Sequence, residues 1–233
     1  MIGTPERQDN ETHRLFVVDD HPIVREGLIR VLKSFDDLTV IGGATSPVEA
    51  LASELIAEAD IIVTDIVLQN SLQGLKFITR LRHEYPRASV LVFTAAPTAT
   101  FARRALRAGA KGYLEKTASP ELVRTAVRTL ASGKTYMGEE LASLLVGDLV
   151  EGHRAEVTER MDQLTIREVE VLTQLGEGRS PKEIARRLDI GAKTVNTYCH
   201  RLKRKLRLGD KNDLLKAAIQ WRHIDFPMMS SPA

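Results

Sequence analysis

Residues 61–65 read Ile61-Ile62-Val63-Thr64-Asp65. Three apolar β-branched residues and a threonine suit a strand buried on both faces, and a carboxylate closes it. Three other apolar runs are built the same way. Leu15-Phe16-Val17-Val18 ends on Asp19-Asp20. Leu38 to Ile41 closes on Gly42-Gly43. Val90-Leu91-Val92-Phe93 ends on Thr94-Ala95. A shorter run, Tyr113-Leu114, precedes Lys116.

Helical spacing fills the gaps between these runs. Residues 22–33 place Ile23, Val24, Leu28, Val31 and Leu32 on one face, and residues 47–58 open with Ser46 as N-cap and Pro47 at the first helical position. Residues 74–84 and 98–108 follow the same rule, with Gly109 closing the second. Ser119-Pro120 opens a helix that runs to Ala131. Five strand–helix repeats in this order predict an α/β fold, a doubly wound five-stranded parallel sheet covered on both faces. Ligands of such sheets bind at the carboxyl ends of the strands, which here carry Asp19, Asp20, Asp65, Thr94 and Lys116. No glycine-rich phosphate loop follows any strand, so nucleotide and dinucleotide binding find no support.

Each of these five residues alone reads as a helix cap, a turn or a solvated side chain. Together they carry chemistry. Three carboxylates in one crevice repel each other unless a cation joins them, and hard oxygen donors favour Mg²⁺. A carboxylate can then attack phosphorus while charge on the phosphoryl oxygens is met by Lys116 and the Thr94 hydroxyl.

The quoted motifs extend to Val17-Val18-Asp19-Asp20-His21-Pro22, Val92-Phe93-Thr94-Ala95 and Gly112-Tyr113-Leu114-Glu115-Lys116. Residues 14–131 thereby resemble the receiver domain of two-component response regulators, which has a flavodoxin-like fold. The resemblance implies that Asp65 is the phosphoacceptor and that Asp19, Asp20, Asp65 and the carbonyl of Val67 bind Mg²⁺. It implies that Thr94 and Tyr113 switch conformation and that Lys116 holds the phosphoryl group. The chain departs from that family after Asp65. Gln69 stands where the family usually has proline, and the glycine arrives one residue late, at Gly74. The loop Val67–Gln73 is therefore one residue longer, which bears on the Val67 carbonyl and on phosphorylation rates.

Charge changes along the 233 residues. Residues 1–163 hold 19 Lys and Arg against 23 Asp and Glu; residues 164–233 hold 14 against 8. A compact basic module is expected to bind a polyanion. Residues 132–160 read as a linker with one short helix, over Glu139 to Leu149.

Within the basic module, Thr165 and Glu168 form a capping box, and Ser180 and Glu183 form another. A third helix from about Ala192 to Leu206 sets Val195, Cys199, Leu202 and Leu206 on one stripe, with Cys199 read as core. Its other faces carry Lys193, Thr194, Asn196, Thr197, His200, Arg201, Lys203 and Arg204. A short helix, a turn and a basic helix make a helix-turn-helix pattern, and such a helix enters the major groove. Asn196, Thr197 and His200 suit base edges; Arg201, Lys203 and Arg204 suit phosphates, with Lys182 and Lys193 beside them.

Leu164 to Leu172, Lys182-Glu183-Ile184-Ala185 and Lys193-Thr194-Val195 resemble the LuxR-type helix-turn-helix, here over 161–224. With the receiver, the chain resembles response regulators of the NarL/FixJ type. Asn196 and Tyr198 replace the lysine and histidine common there, so base preference does not carry over. The resemblance also implies a final helix that forms homodimers on DNA, with Leu214, Leu215 and Ala218 as contacts. It implies a sensor histidine kinase, double-stranded DNA and RNA polymerase as partners.

The single cysteine, the polar N-terminus and the lack of long apolar runs suit the cytoplasm, without membrane contact. The expected function is a phosphorylation-controlled transcription regulator, not an enzyme. The rival is a DNA-binding regulator whose receiver answers to a ligand or protein instead of phosphate. A phosphatase working through an aspartyl intermediate generally needs a general acid two residues after the nucleophile, where Val67 stands.

Overall fold

The computed structural model describes residues 12–69, 72–96, 98–138, 141–143, 160 and 163–225, with the backbone alone at 98–100 and 221–225. They form two compact units.

The first is a parallel sheet with the order β2-β1-β3-β4-β5-β6. Its strands are β1 (His13–Val18), β2 (Leu38–Ala44), β3 (Ile61–Thr64), β4 (Ser89–Thr94), β5 (Gly112–Glu115) and β6 (Tyr136–Met137). The helices are α1 (Pro22–Lys33), α2 (Pro47–Ala52), α3 (Gln73–Glu84), α4 (Thr98–Ala108) and α5 (Pro120–Ala131). β3 and β4 are buried along their whole length, as their unbroken apolar runs require. On one face Leu15, Val17, Ile61, Val63 and Leu91 pack with Leu28 and Leu32 of α1 and with Val123, Val127 and Leu130 of α5. Full burial of each large aliphatic side chain contributes about 1.5–3 kcal/mol.

Two features differ from the sequence reading. The helix expected over 47–58 stops at Ala52, because Ser53 takes an extended backbone. A 3₁₀ turn over Glu54–Glu58 follows, with Ile56 fully buried. The sixth strand, β6, lies in the segment read as linker and pairs with β5 through Gly112–Tyr136 and Tyr113–Met137. Two residues are too short for a periodicity signal. Of the linker helix expected over 139–149, residues 141–143 are helical and the others lie outside the described residues.

The second unit is helical: α6 (Ile166–Gly176), α7 (Pro181–Arg187), α8 (Ala192–Leu206) and α9 (Lys211–Asp225). Both expected capping boxes are present, at Thr165/Glu168 and Ser180/Glu183. Each satisfies amide donors that a helix start leaves open. Val169, Leu172, Ile184, Val195, Leu202, Leu206, Leu214 and Ala218 are buried in its core.

Candidate functional site

Parallel pairing fixes where the strand ends lie. β1 and β4 both flank β3, with Val18 opposite Thr64 and Thr64 opposite Val92. The next residues of β1 and β3 are therefore neighbours. The Asp65 amide donates to the Val18 carbonyl (3.0 Å), and the Asp19 amide donates to the Ala44 carbonyl (3.1 Å). Asp19 and Asp65 are almost wholly buried, at 2% and 3% exposure.

Lys116 joins them. Its Nζ lies 2.6 Å from Asp65 Oδ2 and 2.7 Å from Asp19 Oδ2. Burial alone would lower the ammonium pKa, but the hydrogen bonds to Asp19 and Asp65 outweigh it and raise the value above that of an ordinary lysine. The Lys116 amide also donates to the Thr94 carbonyl at 2.9 Å, which ties the end of β5 to the end of β4. Thr94 is fully buried, and its hydroxyl oxygen accepts the Ala96 amide at 3.2 Å. Tyr113 is buried one strand over, opposite Val92.

Asp65 and Asp20 are each held by the loop after β3. The Val67 amide donates to Asp65 Oδ1 (2.9 Å), and the Gln69 amide donates to Asp20 Oδ2 (2.8 Å). Gln69 does so with a left-handed backbone, φ 52°. So the departure at Gln69 supplies a contact to Asp20.

Three residues of the site were not assigned a role from sequence. His21 follows the aspartate pair, and its Nδ1 lies 3.0 Å from Asp20 Oδ1 and 3.3 Å from Asp19 Oδ1. The Arg25 guanidinium donates to the Asp19 carbonyl at 3.0 Å. Gly74 packs on the Asp65 peptide, where a Cβ would stand 2.3 Å from the Asp65 carbonyl oxygen. Adjacency to Asp19-Asp20 was the only signal for His21. Nothing in the sequence marks the contacts of Arg25 or Gly74.

One ligand atom from each of Asp19, Asp20, His21 and Asp65 lies within 4.8 Å of the others. Asp20 Oδ1 is buried and receives no hydrogen bond. Lys116 thus joins two of the three carboxylates, and Asp20 Oδ1 of the third is left without a hydrogen bond. Hard oxygen donors in this arrangement fit a divalent cation such as Mg²⁺.

In the helical unit, Lys182, Lys193, Thr194, Asn196, Thr197, His200, Arg201 and Arg204 are exposed, and Lys203 is half-buried. On α8 they form two adjacent stripes. Lys193, Thr197, Arg201 and Arg204 make one. Asn196, His200 and Lys203 make the other and line a cavity of about 480 Å³ with Leu175, Cys199 and Leu215. The Thr197 hydroxyl donates to the Lys193 carbonyl at 3.0 Å, so its proton is used inside the helix. Cys199 is half-buried at the rim of the core, and burial pushes its thiol pKa up.

Two expected dimer contacts need correction. Leu214 and Ala218 are 2% and 0% exposed, because α9 turns them into the unit's own core. Among the described side chains of α9, the large apolar ones left exposed are Leu215 and Ile219, at 41% each.

Residues 15–128 match the family of the response regulator receiver domain, and residues 162–218 match the bacterial regulatory proteins of the luxR family. The oxygen regulatory protein NreC of Staphylococcus carnosus is 30% identical over 91% of this chain and 100% of its own length. This chain is a response regulator. It belongs to the group that carries a receiver followed by a LuxR-type helix-turn-helix, the NarL/FixJ type. A LuxR-family response regulator from Aurantimonas sp. SI85-9A1 has a similar structure. It is 30% identical with a TM-score of 0.54, covering 60% of this response regulator and 99% of that one. RcsB from Salmonella enterica serovar Typhimurium, solved on promoter DNA with phosphomimetic BeF₃⁻, shares the fold. Its TM-score is 0.55 at 22% identity, covering 90% of this chain and all of that one. Among the described residues no helix is long and apolar enough to cross a membrane.

Proposed function

We propose that Asp65 accepts a phosphoryl group from a sensor histidine kinase, and that this modification controls DNA binding by the helical unit. The observation that carries the reading is the buried Asp65 carboxylate, held 2.6 Å from Lys116 at a strand end, with Asp19 and Asp20 beside it.

Asp19, Asp20, Asp65 and the Val67 carbonyl would hold Mg²⁺, which when bound neutralises charge on the phosphoryl oxygens. The chain's own residues do the rest. Asp65 presents a carboxylate oxygen that attacks phosphorus as the bond to the donor imidazole breaks, so one O–P bond forms and one N–P bond is lost. Lys116 shifts its ammonium from the Asp65 carboxylate to a phosphoryl oxygen. The Thr94 hydroxyl donates to a second oxygen. The hydrogen bond from the Lys116 amide to the Thr94 carbonyl links the two strand ends that would respond. Tyr113 follows Thr94, and the change in packing biases a two-state equilibrium.

In the helical unit α8 would enter the major groove. Asn196, Thr197 and His200 would meet base edges. Lys182, Lys193, Thr194, Arg201, Lys203 and Arg204 would meet the backbone. Leu215, with Ile219, would offer an exposed apolar surface to a homodimer on DNA. The protein would work in the cytoplasm, where kinase and DNA are both reachable.

The test is phosphorylation by a small phosphodonor with Mg²⁺. Wild type is expected to carry an acid-labile acyl phosphate, and Asp65→Asn to carry none. Undiminished labelling of Asp65→Asn would overturn the site. Equal DNA affinity with and without phosphodonor would favour the phosphate-independent regulator.

A further inference from the structure

We propose that Tyr198 is a positioning residue for DNA binding: its ring holds the Arg201 guanidinium ready for a backbone phosphate. The inference rests on the reading of α8 as the helix that enters the major groove, given above.

The pair is local and lopsided. Arg201 follows Tyr198 by three residues, a spacing at which helical side chains meet. Its guanidinium carbon lies over the Tyr198 ring, 5.8 Å from the ring centre, inside the ~6 Å reach of a cation–π attraction. Tyr198 is half-buried, and Arg201 is exposed. Val195, three residues before Tyr198, and Leu202, four after it, are both fully buried. The ring thus stands where α8 passes from its core stripe to the outward stripe that holds Arg201. Tyrosine has few side-chain torsions to order and arginine has many, so the ring orders the arginine rather than the reverse.

What holds Arg201 matters as much as its being held. Lys205, one turn further on, is spent inside the protein: its ammonium lies 2.6 Å from Glu168 and donates to the Gln163 carbonyl at 3.0 Å. Arg201 pairs with no carboxylate among the described residues. A carboxylate would neutralise the guanidinium and occupy its donors. A ring attracts the charge and takes no hydrogen bond from it, so the five N–H donors stay free in their planar fork. That fork matches phosphate oxygens two at a time. Ordering a long side chain before contact removes part of the entropy cost of binding.

The experiment uses the full chain, a genomic fragment selected by the wild-type chain and an unrelated fragment of equal length, titrated at several salt concentrations. Tyr198→Ala is expected to weaken binding to both about two- to fivefold, and Tyr198→Phe to match wild type, because the ring face and not the hydroxyl holds Arg201. Arg201→Ala is expected to lower the slope of log affinity on log salt by about one, and adding Tyr198→Ala to it to cost nothing further. A ring that only shapes the fold would act with or without Arg201, so losses that multiply in the double variant overturn the proposal. So does wild-type affinity in Tyr198→Ala, or a loss in Tyr198→Phe. Tyr198→Leu, which keeps apolar bulk without a π face, takes the place of Tyr198→Ala if the latter unfolds at a lower temperature than wild type. If the wild-type chain binds neither fragment with any salt dependence, the reading of α8 falls first, and the role of Tyr198 with it.

Discussion

Lys116 and Lys205 each reach a buried carboxylate at 2.6 Å, one in the α/β unit and one in the helical unit. The surroundings of the two pairs differ. Glu168 is 2% exposed and fully engaged. Its Oε2 takes Lys205 at 2.6 Å and the Thr165 amide at 2.8 Å, and Lys205 also donates to the Gln163 carbonyl at 3.0 Å. One negative charge meets one positive charge and no group is left over. Burial would raise the Glu168 pKa, but the bonds from Lys205 and Thr165 hold it below the usual carboxylate value. At the sheet end three carboxylates cluster, Lys116 joins Asp19 and Asp65, and Asp20 Oδ1 has no donor. A closed pair holds a fold together; an open cluster is short of positive charge until something supplies it.

Removing charge should therefore act in opposite directions in the two units. Lys205→Met leaves Glu168 buried without its cation, and should lower the urea stability of the helical unit by about 2 kcal/mol. Asp20→Asn relieves repulsion, and without divalent cation should hold stability or raise it by up to about 1 kcal/mol. Comparable losses from both substitutions would erase the distinction.

Titration sharpens the same contrast. Glu168 has a lowered carboxyl pKa, so its contribution is complete above the unfolded value of about 4.3 and is lost as pH falls through the folded one. Lys116 has a raised pKa, so its contribution is complete below about 10.4 and is lost as pH rises through the folded value. Thermal unfolding across pH should show acid weakness in the helical unit and alkaline weakness in the α/β unit. Glu168→Gln should remove the first and leave the second.

The remaining tests are on DNA. Asn196→Ala should cost about 1–3 kcal/mol on a preferred fragment and relax preference at one position. Arg204→Ala should weaken all fragments alike and reduce the slope of log affinity on log salt by roughly one. Loss of discrimination from Arg204→Ala would move Arg204 from a backbone role to a base-edge role.

Much of this was legible in the sequence, for physical reasons. Strands buried on both faces write continuous apolar runs, so β3 and β4 and the residues that end them stood out. Caps are local, so Thr165 with Glu168 and Ser180 with Glu183 could be read four residues at a time. The register of long-range contacts is not written locally. Nothing around Gln69 shows that its amide turns back 49 residues to Asp20. The burial of Leu214 and Ala218 depends on which face α9 gives to α6, and spacing alone left that open.

The contacts that build the sheet-end cluster span long stretches of chain: Asp20 to Gln69 is 49 residues, and Asp65 to Lys116 is 51. During synthesis the three aspartates emerge well before the lysine that gathers two of them. A nascent chain that ends at β4 has the acids without the base, and no local segment can substitute for it. Assembly of the cluster thus waits until the chain has passed β5, and the helix that covers its core, α5, is made later still.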